Sequence, residues 1–287
     1  MELPYVAKAA PKSKEVCKMA KKETVGQKIS KAFSPQETIG KPAAAILGIC
    51  MFVIVMLAWY VCTKSGAVDS MFLPSPEKTI KEGVSLFTEA GFLNDIKYTV
   101  MRVMGGFLIA AVFAVPLGIL IGIYAPVSAF IEPLFSFVRY LPASAFIPLF
   151  ILWIGIDEKE KIAVIILGSF PQLVLMIATA MKSVSKDLIE VSYTLGTSKA
   201  GVAWKIILPK SAPQILDNLR IVLGWAWTYI IVAEMVGASE GIGYRIIQSQ
   251  RMLNTSKIFV GILCIGIIGL IFDLILKGLR KLLFPWD

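Results

Sequence analysis

Apolar runs long enough to cross a bilayer recur along this chain and set its organisation. A membrane helix needs about 20 mostly apolar residues. Residues 43–62 supply 20 without a charge, 103–123 supply 21, and 162–181 supply 20. The run 140–156 is shorter, at 17 residues, and contains two prolines. Residues 221–239 are apolar apart from Glu234, and 258–276 apart from Asp273. The pattern predicts six spans and an all-α membrane protein. No segment alternates with the period of a strand, which excludes a β-barrel. The first run begins past residue 40, is long, and shows no small-residue cleavage site, so it reads as a span and not as a signal peptide. Between the first two spans, residues 77–90 predict a short amphipathic helix on the outer surface. Ile80, Val84 and Phe87 recur there at helical spacing, and Ser75 or Pro76 starts the helix.

Composition agrees with a bilayer. Of 287 residues, 56% are hydrophobic and 17% charged, against about 25% charged in an ordinary soluble domain. There is no histidine, which removes His-based triads, His metal sites and imidazole pH switches. Cys17, Cys50, Cys62 and Cys264 show no CxxC spacing, so neither a zinc site nor a redox pair is expected. The net charge of +9 is distributed by topology. Lysine and arginine favour the cytoplasmic side. The tail 1–42 holds nine lysines against four acids, 182–210 five lysines against two acids, and 277–287 three bases against one acid. Segments 63–98 and 157–161 carry an excess of acids, while 235–257, with three bases and one acid, dissents. Six spans with both termini cytoplasmic fit this distribution. The charge is not evidence for nucleic acid. The lysine-rich tail 1–42 reads either as flexible or as lying on the anionic inner leaflet.

The chain therefore divides into the tail 1–42, a first span 43–62, an outer loop 63–98, a core 99–280 and a cytoplasmic end 281–287. Within the core, the loop 186–209 is more than a connection needs. Leu188, Val191 and Leu195 share one helical face, and Gly196 follows as a C-terminal cap. A second short helix follows, closed by Pro209. Such a helix-turn-helix presents a shaped surface to a cytoplasmic partner.

This loop carries a resemblance. Glu190, Gly196, Ile206, Leu208 and Pro209 match the EAA loop of ABC importer permeases in identity and spacing. Val191-Ser192 stand where that family usually has two alanines. The likeness covers residues 70–287 and is strongest to the nitrate, sulfonate, taurine and bicarbonate group. Leu73-Pro74-Ser75-Pro76, Arg139-Tyr140-Leu141-Pro142, Leu223-Gly224-Trp225-Ala226-Trp227, Ala233-Glu234-Met235, Gly241-Ile242-Gly243 and Pro285-Trp286 resemble that group. The resemblance implies a type I importer permease fold in the inner membrane. It implies a second permease copy, most simply as a homodimer, two ATP-binding subunits beneath, and an extracytoplasmic solute-binding protein delivering a small anion. It implies no cofactor in this chain, ATP being bound by the partner subunits. The chain holds no GxxxxGK[ST] phosphate loop and is not itself expected to be an enzyme.

On this reading Glu190, Tyr193, Gly196, Trp204, Leu208 and Pro209 couple the permease to its ATPase. Glu190 pairs with a base there or is a solvated surface charge. Trp204 anchors in the partner or at the membrane interface. Gly196 serves the turn. Pathway candidates are Arg139, Trp225, Trp227 and Glu234. Arg139 offers a fork suited to oxyanions, or acts as a positive-inside anchor. Trp225, Trp227 and Tyr229 line the passage or pack between spans. An acid inside a membrane needs a base or water beside it. Arg102 and Arg220, at the ends of the second and fifth spans, are candidate partners for some acid. Glu234 reads as a gate residue balanced by a base or as a structural pair, and Asp273 as structural. Pro116, Pro142, Pro148 and Pro171 interrupt spans two to four, either around a pathway or as packing kinks. Two other functions compete: an ion-coupled secondary transporter or channel using Glu234 as a relay, and a membrane scaffold whose loop only docks a partner.

Overall fold

The computed structural model describes residues 40–89 and 91–286. The reading of the lysine-rich tail as a surface segment falls on residues 1–39, outside the described residues. Every regular element among the described residues is helical. The elements are α1 (Lys41–Lys64), α2 (Pro76–Glu89), α3 (Phe92–Ile123), α4 (Ala125–Val138), α5 (Ile147–Ile154), α6 (Glu158–Lys182), α7 (Lys186–Thr194), α8 (Leu208–Gly237), α9 (Ile242–Arg251) and α10 (Thr255–Leu283). Two compact units divide within α1, between Ala58 and Trp59. In the first, α1 is apolar around its whole circumference and exposes its large side chains. A helix of that kind suits lipid, not water.

In the second unit, α3 and α6 form the most extensive helix pair. The reason lies in a four-residue repeat. Gly106, Ala110, Ala114, Gly118 and Gly122 make a small-residue ridge along α3, opposite Ile165, Ser169, Leu173, Ile177 and Met181 on α6. Without a hydrophobic force between lipid-embedded helices, close backbone approach and van der Waals contact must hold them together. The approach here leaves no room for a methyl group. A Cβ on Gly106 would lie 2.8 Å from the Ile165 Cβ, and one on Gly118 would lie 2.7 Å from the Ile177 Cβ and 2.8 Å from the Val174 carbonyl oxygen. α8 completes the main core through Val222, Leu223, Ala226, Trp227 and Ile230, all buried with Val103, Phe107 and Ile177. A second cluster, Leu86, Phe92, Ile242, Ile246 and Val260, joins α2 and α9 to α10.

α2 begins as expected. The Ser75 hydroxyl accepts from the Lys78 N–H at 3.3 Å, an N-cap one residue before Pro76. Its apolar stripe faces outward. Ile80, Val84 and Phe87 are exposed, while Thr79 and Leu86 are buried and Gly83 faces Val260. An apolar stripe turned outward is what an interfacial helix needs against acyl chains.

Two elements depart from the sequence reading. The run 140–156 is not one continuous helix. Pro142 is extended, a 3₁₀ turn covers Ala143–Phe146, Pro148 opens α5, and Gly155 at φ 89° ends it. α4 and the segment Ala143–Ile154 are apolar enough to cross together but bend by 79°. Proline cannot continue the hydrogen-bond ladder, so two of them within seven residues convert a short span into a broken one. Ala143 and Ile147 seat this hairpin against Val164 and Ala233. The described chain thus has five unbroken candidate spans, or six with the bent pair. Nor does Pro209 close a second short helix. A turn at Lys199–Gly201 and a π-helical stretch Val202–Ile207 run directly into α8, giving continuous helix from Lys199 to Gly237. Pro209 lacks an N–H and crowds the carbonyl one turn back. The wider π turn supplies the space that lets the helix pass through it.

Methyl groups should discriminate the two sides of α3. Gly106→Ala should destabilise by about 1–3 kcal/mol through overpacking. Gly105→Ala, whose Cβ would meet nothing within 4 Å, should be neutral or stabilising. Melting temperatures of the two variants in detergent would check this. Equal melting temperatures would contradict the ridge packing.

Candidate functional site

Two constructed features lie at opposite ends of α6 and α8. At the end holding Glu158 and Glu234, charges from four elements converge. α3 contributes Asp95, Thr99 and Arg102, which share one face at i, i+4 and i+7. The Arg102 guanidinium donates through Nε (2.6 Å) and Nη2 (2.5 Å) to both carboxylate oxygens of Glu158, and through Nη1 to Glu234 Oε1 (2.8 Å) and the Glu240 carbonyl (2.7 Å). Glu234 is fully buried, at 0% exposure, while Glu158 is 49% exposed. Glu234 also accepts from the Thr99 hydroxyl at 2.8 Å and from the Gly243 N–H at 2.9 Å.

The start of α9 fits into this cluster backbone first. Three successive N–H groups are taken by three side chains of other helices. Gly241 donates to Asp95 Oδ1 (2.9 Å), Ile242 to the Thr99 hydroxyl (2.9 Å) and Gly243 to Glu234 Oε2 (2.9 Å). A helix N-terminus with its orphan donors favours negative charge. Arg245, one turn on, returns to Asp95 Oδ2 at 2.6 Å. The glycines are steric requirements. Gly241 stands at φ 121°, and a Cβ there would lie 2.5 Å from the Glu234 carboxylate carbon. A Cβ on Gly243 would lie 2.6 Å from the Ile231 carbonyl oxygen. The pattern Gly241-Ile242-Gly243 is therefore explained by the acid it covers. Sequence reasoning singled out Arg102 and Glu234 but missed Asp95, Thr99, Glu158 and Arg245. The one-face spacing of Asp95, Thr99 and Arg102 was the available signal.

At the opposite end, α7 and the π turn form a protruding helix-turn-helix. α7 ends in a Schellman motif: the Thr197 N–H donates to the Ser192 carbonyl (3.0 Å) and the Gly196 N–H to the Tyr193 carbonyl (2.9 Å). Gly196 stands at φ 81°, the left-handed conformation this motif requires. The Ser198 hydroxyl then caps the next turn by accepting from the Gly201 N–H at 3.2 Å. Glu190 and Pro209 are exposed and Leu208 packs partly against the core. Val191, Tyr193, Leu195 and Trp204 are all exposed, Leu195 at 80% and Trp204 at 54%. Val191 and Leu195, four residues apart, share one face of α7, and Tyr193 lies on the other.

The remaining predicted residues are dispersed. Trp227 is 3% exposed, within the main core, with its ring centroid 5.5 Å from that of Phe272. Trp225 is exposed on α8, and Tyr229 is half-buried against the third core cluster. Arg139 ends α4, exposed, with its guanidinium 4.9 Å from the Tyr140 ring centroid and donating to the Tyr140 hydroxyl at 3.0 Å. Arg220 meets Asp273 at 3.3 Å, and Arg280 meets Asp217 at 2.9 Å.

The described fold is a set of candidate membrane spans with one bent hairpin and an exposed helix-turn-helix at the end of α6. Residues 114–286 match the family described as binding-protein-dependent transport system inner membrane component, and the chain belongs to that family. It is a multi-pass inner-membrane protein, the permease subunit of an ABC importer. It is 37% identical over 241 residues to a probable ABC transporter permease protein of Brucella abortus, covering 84% of this chain and 95% of that one. It is 30% identical over 245 residues to the taurine transport system permease protein TauC of Escherichia coli, covering 84% and 89%. The methionine ABC transporter MetNI, in an inward-facing conformation, shares the fold with a TM-score of 0.58 at 19% identity over 66% of this chain and 94% of that one.

The charge cluster predicts a graded response. Arg102→Met strands the fully buried Glu234 and should destabilise by about 3–5 kcal/mol. Glu158→Gln removes a half-exposed partner and should cost about 1 kcal/mol or less. Thermal melts in detergent would rank the two, and the reverse order would refute this account of the cluster.

Proposed function

We propose that this chain is the membrane half of an ATP-driven importer for a small oxyanion of the sulfonate, taurine, nitrate or bicarbonate class. The observation that carries the reading is the helix-turn-helix at the α7 end, where Val191, Tyr193 and Leu195 at the capped helix and Trp204 at the start of the following helix are all exposed. Exposed side chains of this kind are anchors for a partner. In this family the partner is the ATP-binding subunit, with Glu190 positioned for its basic residues. ATP is bound there, and this chain contributes no nucleotide site or other cofactor. A second copy of the chain completes the pathway, and a solute-binding protein docks at the Glu234 end, outside. The basic residues around α7 and at the end of α10 support a cytoplasmic location for the coupling-loop end.

The mechanism is mechanical. Closure of the ATPases displaces α7. Because the turn after α7 feeds straight into the continuous helix Lys199–Gly237, that displacement is transmitted along α8 to the charge cluster. Arg139 and Trp225 are assigned to the pathway wall, and Trp227 to packing. The two oxygens of Glu234 are held by Arg102, Thr99 and Gly243, which supports the structural-pair reading over a proton relay.

A double variant tests the coupling. Glu190→Lys with Gly196→Pro should insert and fold but lose ATP-dependent uptake by at least about tenfold, since a 1.4 kcal/mol loss of contact is already a factor of ten. Uptake and co-purification of the ATPase would be measured together in native membranes. Full uptake with a normal ATPase ratio would end the coupling assignment.

A further inference from the structure

We propose that a polar track along α6 and α8, from the middle of the bundle to the coupling-loop end, binds small oxyanions and forms the last section of their route. The proposal rests on the import function proposed above and deepens it. Two cavities carry it. One of about 170 Å³ is lined by Arg139, Gln172, Thr179, Gln214 and Asn218 among apolar neighbours. The other, of about 470 Å³, is lined by Gln214, Lys210, Asp217, Arg280 and the serines after α6. They share Gln214, so their linings adjoin. Lys210, Gln214 and Asn218 recur every four residues on α8, which places them on one face. Gln172 lies about 15 Å from the end of α6 at 1.5 Å per residue, so the upper cavity reaches well into the apolar span.

The electrostatics select a sign. Among the described residues no carboxylate stands within salt-bridge distance of Arg139 or Lys210. The one acid in the lining, Asp217, is held by Arg280 at 2.9 Å and by Arg220 at 3.8 Å. The track is therefore net cationic, with neutral amides between its two unpaired bases. An unpaired arginine near an apolar span is costly and faces protein or a watery cavity. Stacking on Tyr140 and a single hydrogen bond to its hydroxyl leave most of the Arg139 fork free for a planar or tetrahedral oxyanion. A cation meets repulsion at both ends of the same track. The phosphate of an anionic lipid headgroup has the same chemistry and reaches the same rim, so the test must separate the two.

The test uses the full chain with Cys17, Cys50, Cys62 and Cys264 replaced by serine, in phosphatidylcholine nanodiscs. A cysteine is introduced as Gln172→Cys, or as Gln214→Cys for the shared position. Two thiol reagents of similar size are compared, sulfonatoethyl methanethiosulfonate (an anion) and trimethylammonioethyl methanethiosulfonate (a cation), each normalised to its rate with free cysteine. At Gln172→Cys the anionic reagent should be favoured by roughly tenfold, the scale on which a charged cleft concentrates counter-ions. Adding Arg139→Gln and Lys210→Gln should bring the ratio to about one, and sulfate should slow the anionic reagent in the parent only. Equal rates in the parent, preference for the cation, or labelling at Gln214→Cys with none at Gln172→Cys would overturn the proposal. Adding phosphatidylglycerol separates the sources: if it blocks the anionic reagent and sulfate does not, the track holds lipid, and the cargo assignment fails. The readout needs no ATPase or binding protein, so failure of the track leaves the coupling assignment to its own uptake test.

Discussion

A guanidinium that must not be left alone organises one end of this molecule. Arg102 lies inside an apolar bundle, and a buried charge survives there only when neutralised and fully hydrogen-bonded. Its planar fork satisfies that demand by drawing in Glu158 from α6, Glu234 from α8 and the Glu240 carbonyl from the loop before α9. α6, α8 and the loop before α9 are thereby tied to α3 at this end. Glu234 in turn needs more than one donor, and the N-terminus of α9 supplies it. The two glycines there are what let a backbone approach a carboxylate so closely. Ion pair, hydroxyl and helix terminus form one network, in which each polar group is the reason the next can be buried.

The rest of the bundle is held by a different physics. Apolar side chains gain little by leaving lipid for protein, so the spans associate where their backbones can come near. The ridge from Gly106 to Gly122 provides that approach along the second half of α3, and the side chains of α6 fill the space it leaves. One helix pair is thus set by shape, and the helices around it by charge at one end and by core contacts in the middle. The continuous helix from Lys199 to Gly237 links the two regimes. It starts in the protruding turn, passes the polar track, packs Trp227 into the core and finishes at Glu234. A push on α7 therefore has a stiff path to the charge cluster, whereas the α4–α5 hairpin, broken at Pro142, has none of that stiffness.

Much of this was legible in the chain. Span count follows from the lengths of apolar runs, because a bilayer imposes one length on every crossing segment. The α7 cap follows from Gly196, because only a left-handed residue ends a helix in that way without strain. Ser75 and Pro76 mark the start of α2 for equally local reasons. The failures were local signals overruled by their surroundings. Pro209 reads as a stop, yet a π turn absorbs it. The run 140–156 reads as a span, yet its prolines and Gly155 divide it.

The division between what was and was not legible is physical. Period, length and capping are properties of neighbours in sequence, so most of the helices, the membrane class and the cap that ends α7 could be read from the chain alone. Pairing is a property of neighbours in space. Arg102 and Glu234 are separated by 132 residues, and Asp95 and Arg245 by 150. Nothing along the chain distinguishes those partners from Arg220 or Asp273, which instead pair with each other between α8 and α10. Likewise Gln172, Gln214 and Asn218 are unremarked polar positions until two helices bring them to one cavity beside Arg139. Which charges cancel one another is set in three dimensions, by contacts between segments far apart in the chain.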